Sequence, residues 1–190
     1  MTHSITTKGL YLAAAFAIAM TNFTNCSDKE AAGYIGQSDI AVEDGKMTPE
    51  VMLSLGRLSD PQLSPDGKTI LYGVSYTSVP DNRSCRNLFL VNADGTCRRQ
   101  LTREGSSISC ARWTDGGRGI MYIQKGQLRK ATVRGLGGNS PKLVKKTVIS
   151  DIPAGISEFK LSPDGSRIMF VSTVKGAVST PADSDPALDK

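Results

Sequence analysis

Apolar and polar positions along this chain fall into a pattern that returns three times. Leu63–Val74 reads LSPDGKTILYGV, Trp113–Gln124 reads WTDGGRGIMYIQ and Leu161–Ser172 reads LSPDGSRIMFVS. Each copy holds an apolar residue, a tight polar turn and an apolar run with an aromatic in a fixed place: Tyr72, Tyr122 and Phe170. The leading residues lie 50 and then 48 residues apart. In Ser64-Pro65-Asp66-Gly67 the proline presets φ for the first central turn position, and Asp66 tolerates the next. Gly67 accepts the positive φ needed to leave the turn. Such a turn joins two antiparallel strands, and the run Thr69–Tyr76 is apolar on both faces, as in a strand covered from both sides.

The intervening residues supply further strands. Asn87–Asn92 and Arg98–Thr102 flank the turn Ala93–Thr96. A second set covers Ser109–Trp113, Gly119–Ile123, Gln127–Thr132 and Lys142–Ile149, and a third begins with Ile156–Leu161 and Arg167–Thr173. Repeats of about 40–50 residues with several strands each are the signature of propeller blades. The predicted fold is all-β: a partial β-propeller of about two and a half four-stranded blades over residues 47–175. Thr48 as N-cap, Pro49 at the first helical position and Glu50 in the first turn predict a short helix before it. Its apolar face would be Val51, Met52, Leu53 and Leu55, with Gly56 as terminator. Residues 176–190 read as an irregular tail. A ring needs about 4–8 blades. The expectation is therefore a piece of a longer protein, with self-assembly of several copies as the alternative.

The opening segment changes the picture from fold to address. Met1–Lys8 is short and basic, and Gly9–Met20 is an apolar run of twelve residues. As a helix that run would rise about 18 Å, short of a hydrocarbon core of about 30 Å. Residues 1–25 therefore read as a secretory signal peptide, followed by a polar tether over 26–46. Two processing routes remain open. Ala17-Ile18-Ala19 offers an ordinary cleavage site, whereas Phe23-Thr24-Asn25-Cys26 resembles a lipoprotein box that would make Cys26 a lipidated N-terminus. Export to the periplasm or cell envelope is expected on either route, with the membrane reached only through that anchor.

Charge and candidate chemistry narrow the function mainly by exclusion. The 23 basic and 18 acidic residues give a net charge of +5, scattered without a basic stripe, so no nucleic-acid partner is expected. Cys85 and Cys97 would stand seven strand residues out of register, about 23 Å, beyond disulfide reach. The cysteines are not spaced for zinc either, and no metal or cofactor is expected. The single histidine is His3, inside the leader, so a serine–histidine dyad has no base in the mature chain. Gly33–Gly36 and Gly135–Gly138 lack a nucleophile. No catalytic residue is assigned. Glu158, on the first strand of the third repeat, is the one candidate channel-lining residue.

The exported N-terminus, the run MTPEVMLSLGRLSDPQLSPDGKTILYGVSY and the hairpin LFLVNADGTCRRQLT together resemble the N-terminal propeller of bacterial serine exopeptidases of the prolyl oligopeptidase family, in its dipeptidyl-peptidase-like branch. The resemblance covers about residues 47–175. It implies a propeller that gates and positions short peptides for a C-terminal α/β-hydrolase domain. That domain would carry the serine, aspartate and histidine, none of which maps onto this chain. The phrase SPDG also occurs in propellers similar to the periplasmic translocation protein TolB, so a binding propeller without enzymatic activity is the alternative.

Overall fold

The computed structural model describes residues 31–42 and 44–174. Thr48 starts the first element as its sequence implies: its hydroxyl accepts the Val51 N–H at 3.3 Å, opening helix α1 (Pro49–Ser54). The end of the helix differs from expectation. Leu55 is already extended, so Gly56 is not the terminator. Gly56 instead lets the chain pass Tyr76 and Val74, where a Cβ would stand 2.7 and 2.8 Å from their side chains. Six residues cannot present a full stripe. Val51 is buried, while Met52 and Leu55 are about half exposed.

Nearly everything else is antiparallel sheet. Strands β1 (Arg57–Leu63), β2 (Thr69–Ser78), β3 (Arg83–Asn92) and β4 (Arg99–Gln100) form a first sheet in that order. Strands β5 (Ile108–Thr114), β6 (Gly119–Gln124), β7 (Gln127–Arg134) and β8 (Lys142–Val148) form a second. Strands β9 (Glu158–Leu161) and β10 (Ile168–Val171) pair as a third. No closed ring is formed among the described residues.

The register carries the sequence repeat into space. Leu63, Trp113 and Leu161 face Ile70, Ile120 and Ile168 across their hairpins. The turns of the first and third copies make the same bonds. Ser64 Oγ and Ser162 Oγ each lie 2.5 Å from the aspartate two residues on and accept a backbone N–H five residues on at 2.9 Å. The second copy, lacking serine and proline, closes instead through a single 3₁₀ turn, Asp115–Gly117. β1 and β5 also share an irregularity. Register slips between Ser59 and Gln62 and between Ser109 and Arg112, and the residues inside, Asp60 and Cys110, have φ of 50° and 49°. In β1 the bulge also spares the ladder from Pro61, which has no donor to give, and β5 makes the same bulge without a proline.

Alternation along the strands divides the core into layers. Leu71, Leu88 and Leu90 of the first sheet meet Ile108, Ile120 and Tyr122 of the second. The next residues along the same strands, Tyr72, Val74, Tyr76 and Phe89, turn to the outer face of the first sheet. Met121, Ile123 and Leu128 of the second sheet meet Ile156 and Phe159 of the third. The sheets therefore stack face to face in chain order, as period-two side chains require. Two expected positions depart from burial. Leu63 ends its strand at the rim, 59% exposed, and Phe170 is 46% exposed because sheet three has only two strands among the described residues.

Two long-range ties close the first sheet. β4 is only two residues long, and below it Asn87 takes over the strand's role: its carbonyl accepts Thr102 Oγ1 at 2.9 Å and the Glu104 N–H at 2.7 Å. Arg99 reaches out of β4 to the loop between β7 and β8. Its buried guanidinium donates to the carbonyls of Leu136 and Gly138 and to Asn92 Oδ1. The stretch read as a tether is partly packed on the outer face. Ile35 is buried with Tyr72, Val74, Tyr76, Cys85 and Phe89, and Arg83 holds the Gly33 carbonyl at 2.6 Å. Its composition is polar, and one apolar residue suffices to dock it.

Candidate functional site

The first strands β1 and β5 bring polar side chains together, and β9 carries two more that are exposed. On β1 the bulge turns Asp60 toward β5, where its carboxylate meets Arg112 at 2.7 Å, with both side chains about three-quarters buried. Gln62 Nε2 donates to the other Asp60 oxygen at 3.0 Å. The Gln62 carbonyl accepts the Trp113 indole N–H at 3.1 Å. Each Asp60 oxygen thus accepts one donor, and the arginine charge is paired. This cluster joins the first two sheets. On β9, Glu158 and Lys160 are exposed and lie beside Val171 and Met169 of β10.

A second concavity of about 650 Å³ opens where the turns of the first two sheets converge, lined by Ser64, Asp66, Lys68, Asp94, Trp113 and Arg118 among others. Its carboxylates are held by their own turns. The Ser64 hydroxyl, and then the Lys68 N–H, pull the Asp66 carboxyl below its usual range. The Thr96 hydroxyl and N–H do the same for Asp94. A general acid at neutral pH needs the opposite shift. These aspartates are turn residues whose carboxylates are already bonded, which favours their ionised form. Among the described residues no group of three or more histidine, cysteine, aspartate or glutamate side chains is placed to hold a metal.

The cysteines make no disulfide among the described residues. Cys85 is buried, and burial raises its thiol pKa above the ordinary value; its sulfur donates to the Glu104 carbonyl at 3.3 Å. Cys97 is exposed in the β3–β4 turn, and Cys110 sits partly buried in the β5 bulge. Cys26 and His3 lie outside the described residues. Gly135–Gly138, read without a role in the sequence, forms the loop that accepts Arg99. The Asp60–Arg112 pair escaped the sequence reading because its partners are 52 residues apart. The only available signal was that this separation nearly equals the repeat.

No family profile matches the chain. A solved luciferin-regenerating enzyme superposes with a TM-score of 0.45 at 14% identity, over 62% of this chain and 43% of that one. Two curated relatives carry the name dipeptidyl-peptidase 5. The protein from Porphyromonas endodontalis is 31% identical over 150 residues, covering 78% of this chain and 21% of its own length. That from Porphyromonas gingivalis is 34% identical over 167 residues, covering 84% of this chain and 23% of its own length. The chain is thus similar along most of its length to these two dipeptidyl-peptidases, of which it spans about a fifth.

Proposed function

We propose that this chain is the N-terminal β-propeller portion of an exported serine exopeptidase of the prolyl oligopeptidase family, and that it gates and positions short peptides for a C-terminal α/β-hydrolase domain. The observation that carries this reading is the alignment of 78% and 84% of the chain with two proteins named dipeptidyl-peptidase 5. The stacking of successive antiparallel sheets, with Leu63, Trp113 and Leu161 in equivalent register, supports a propeller. First strands line the central channel of a propeller, so selectivity would be steric: an opening framed by β1, β5 and β9 admits short peptides and excludes folded proteins. The basic and then apolar start of the sequence supports export, with Cys26 as the residue to lipidate.

The test is expression of the reading frame continued past Lys190 beside the 190-residue chain, both assayed on dipeptidyl chromogenic substrates. Turnover by the longer protein alone, blocked by a fluorophosphonate, supports the reading. A longer protein that binds an envelope partner and hydrolyses no peptide would replace it with a TolB-like binding propeller. The address is tested separately: Cys26→Ala should release the protein from membranes if Cys26 carries the lipid, and recovery of intact Met1 in an envelope fraction overturns export.

A further inference from the structure

The second and third strands of the first sheet outrun those of the second. β2 and β3 hold ten residues each, whereas β6 ends at Gln124 and the chain turns at Lys125-Gly126. The extra length adds a row that the second sheet lacks: Arg57 of β1, Ser75 of β2 and Arg86 of β3 pair side by side. The neighbouring row is also particular to this sheet. Ser59 faces Gly73, where the second sheet pairs Ser109 with Ile123 and the third pairs Glu158 with Val171. With no side chain at Gly73, the Arg86 stem lies over it. A Cβ there would stand 2.9 Å from Arg86 Cδ and 3.1 Å from Ser59 Oγ. The guanidinium is thus carried from β3 across β2 toward β1.

We propose that Arg57 and Arg86 form a carboxylate-binding site at this end of the first sheet, and that its ligand is the carboxylate of a short peptide. Neither guanidinium is engaged by an acid or an acceptor among the described residues. Arg86 is partly buried, and its Nε and the Ser59 hydroxyl are enclosed without a hydrogen-bond partner. The acid of the same strand, Asp60, is committed to Arg112 at 2.7 Å. Arg83 makes the contrast, since its guanidinium is tied to the carbonyls of Gly33 and Gly105. A partly buried cation left unpaired is costly, and an incoming carboxylate removes that cost. The forked donors of a guanidinium match the two oxygens of a carboxylate. Ser75, between the two arginines in the row, adds a hydroxyl that no described residue engages. The peptide as the source of the carboxylate rests on the gating reading above; the site itself does not.

NMR on the 190-residue chain tests the site, with the Nε–H resonances of Arg57 and Arg86 followed during titration. The probes are acetyl-Gly-Ala with a free C-terminus, its C-terminal amide, acetyl-Gly-Glu amide and inorganic phosphate. The free acid or the glutamyl amide should shift both resonances saturably, and the neutral amide should not. Whichever acid binds identifies the carboxylate as a peptide's C-terminus or its acidic side chain. Arg86→Gln should weaken binding about tenfold or more, and the exposed Arg57→Gln about two- to fivefold. Gly73→Ala keeps both charges but pushes the Arg86 stem aside, so it should weaken binding too, with Trp113 fluorescence reporting that the fold survives. No shift with either acid, equal shifts with the neutral amide, tighter binding of phosphate than of both acids, or full affinity in Arg86→Gln each overturn the proposal. A chain that binds the acids while its frame continued past Lys190 hydrolyses no peptide sinks the peptidase reading alone.

Discussion

At the scale of single residues, the Ser-Pro-Asp-Gly turn shows how far local chemistry is legible. Its spelling predicted a tight turn, and the structure adds the reason for the serine. Ser162 and Ser166 hydroxyls, together with the Ser166 N–H, converge on Asp164 and bring its carboxyl down to about 2. A carboxyl depressed in the folded chain stabilises it fully above the ordinary aspartate range, and that contribution fades as pH falls from about 4 through 2. NMR titration should place the Asp164 midpoint near pH 2. Ser162→Ala should move it toward ordinary values, and an unchanged midpoint would reject the hydroxyl as the cause. Trp113 was legible as a repeat anchor but not in its degree of burial. It is only partly buried and spends its N–H on Gln62. Trp113→Ala should therefore cost about 2–3 kcal/mol in denaturant unfolding, below the ~3–5 kcal/mol of a fully enclosed indole.

At the scale of elements, strands were readable wherever turn and period agreed, and poorly readable where tertiary neighbours decide. β2, β6 and β7 have nearly the predicted bounds because each is flanked by a turn with a left-handed glycine, such as Gly67 or Gly126. The fourth strand, expected over 98–102, shrinks to Arg99–Gln100 because the Leu101 and Thr102 N–H groups share the Leu88 carbonyl, and the Leu88 N–H goes to the Thr102 hydroxyl instead of a backbone carbonyl. The bulge in β1 and the docking of Ile35 depend on partners dozens of residues away, and no local pattern encodes them. Gly105 exposes that dependence. A Cβ there would meet the Ala32 carbonyl oxygen at 1.9 Å, so Gly105→Ala should detach residues 31–35 at a cost of about 1–3 kcal/mol. Limited proteolysis should then cut near Ile35 faster than in the parent chain. Phe159, 1% exposed between the second and third sheets, is the opposite case: Phe159→Ala should lower stability by about 3–5 kcal/mol and loosen the third sheet first.

At the scale of the whole molecule, the side chains of the described residues mostly tie turns and sheets together. The sequence holds one histidine, His3, and the carboxylates of the described turns are tied in hydrogen bonds. The purified 190-residue chain should therefore show no turnover of dipeptidyl or tripeptidyl substrates; activity blocked by a fluorophosphonate would contradict this. β8, the outer strand of the second sheet, carries Lys142, Lys145 and Lys146, which discourage pairing with another chain. Arg99 sets a condition on time rather than on space. Its guanidinium belongs to the first sheet, but two of its three acceptors are carbonyls of Leu136 and Gly138, made almost forty residues later. A ribosome delivers the chain from the N-terminus, so while residues up to 134 are out, the first sheet holds a cation with nowhere to bury it. The first sheet then matures only with the second. The two should appear in one kinetic phase when pulse-labelled during refolding, and a chain stopped at Arg134 should leave β4 unprotected.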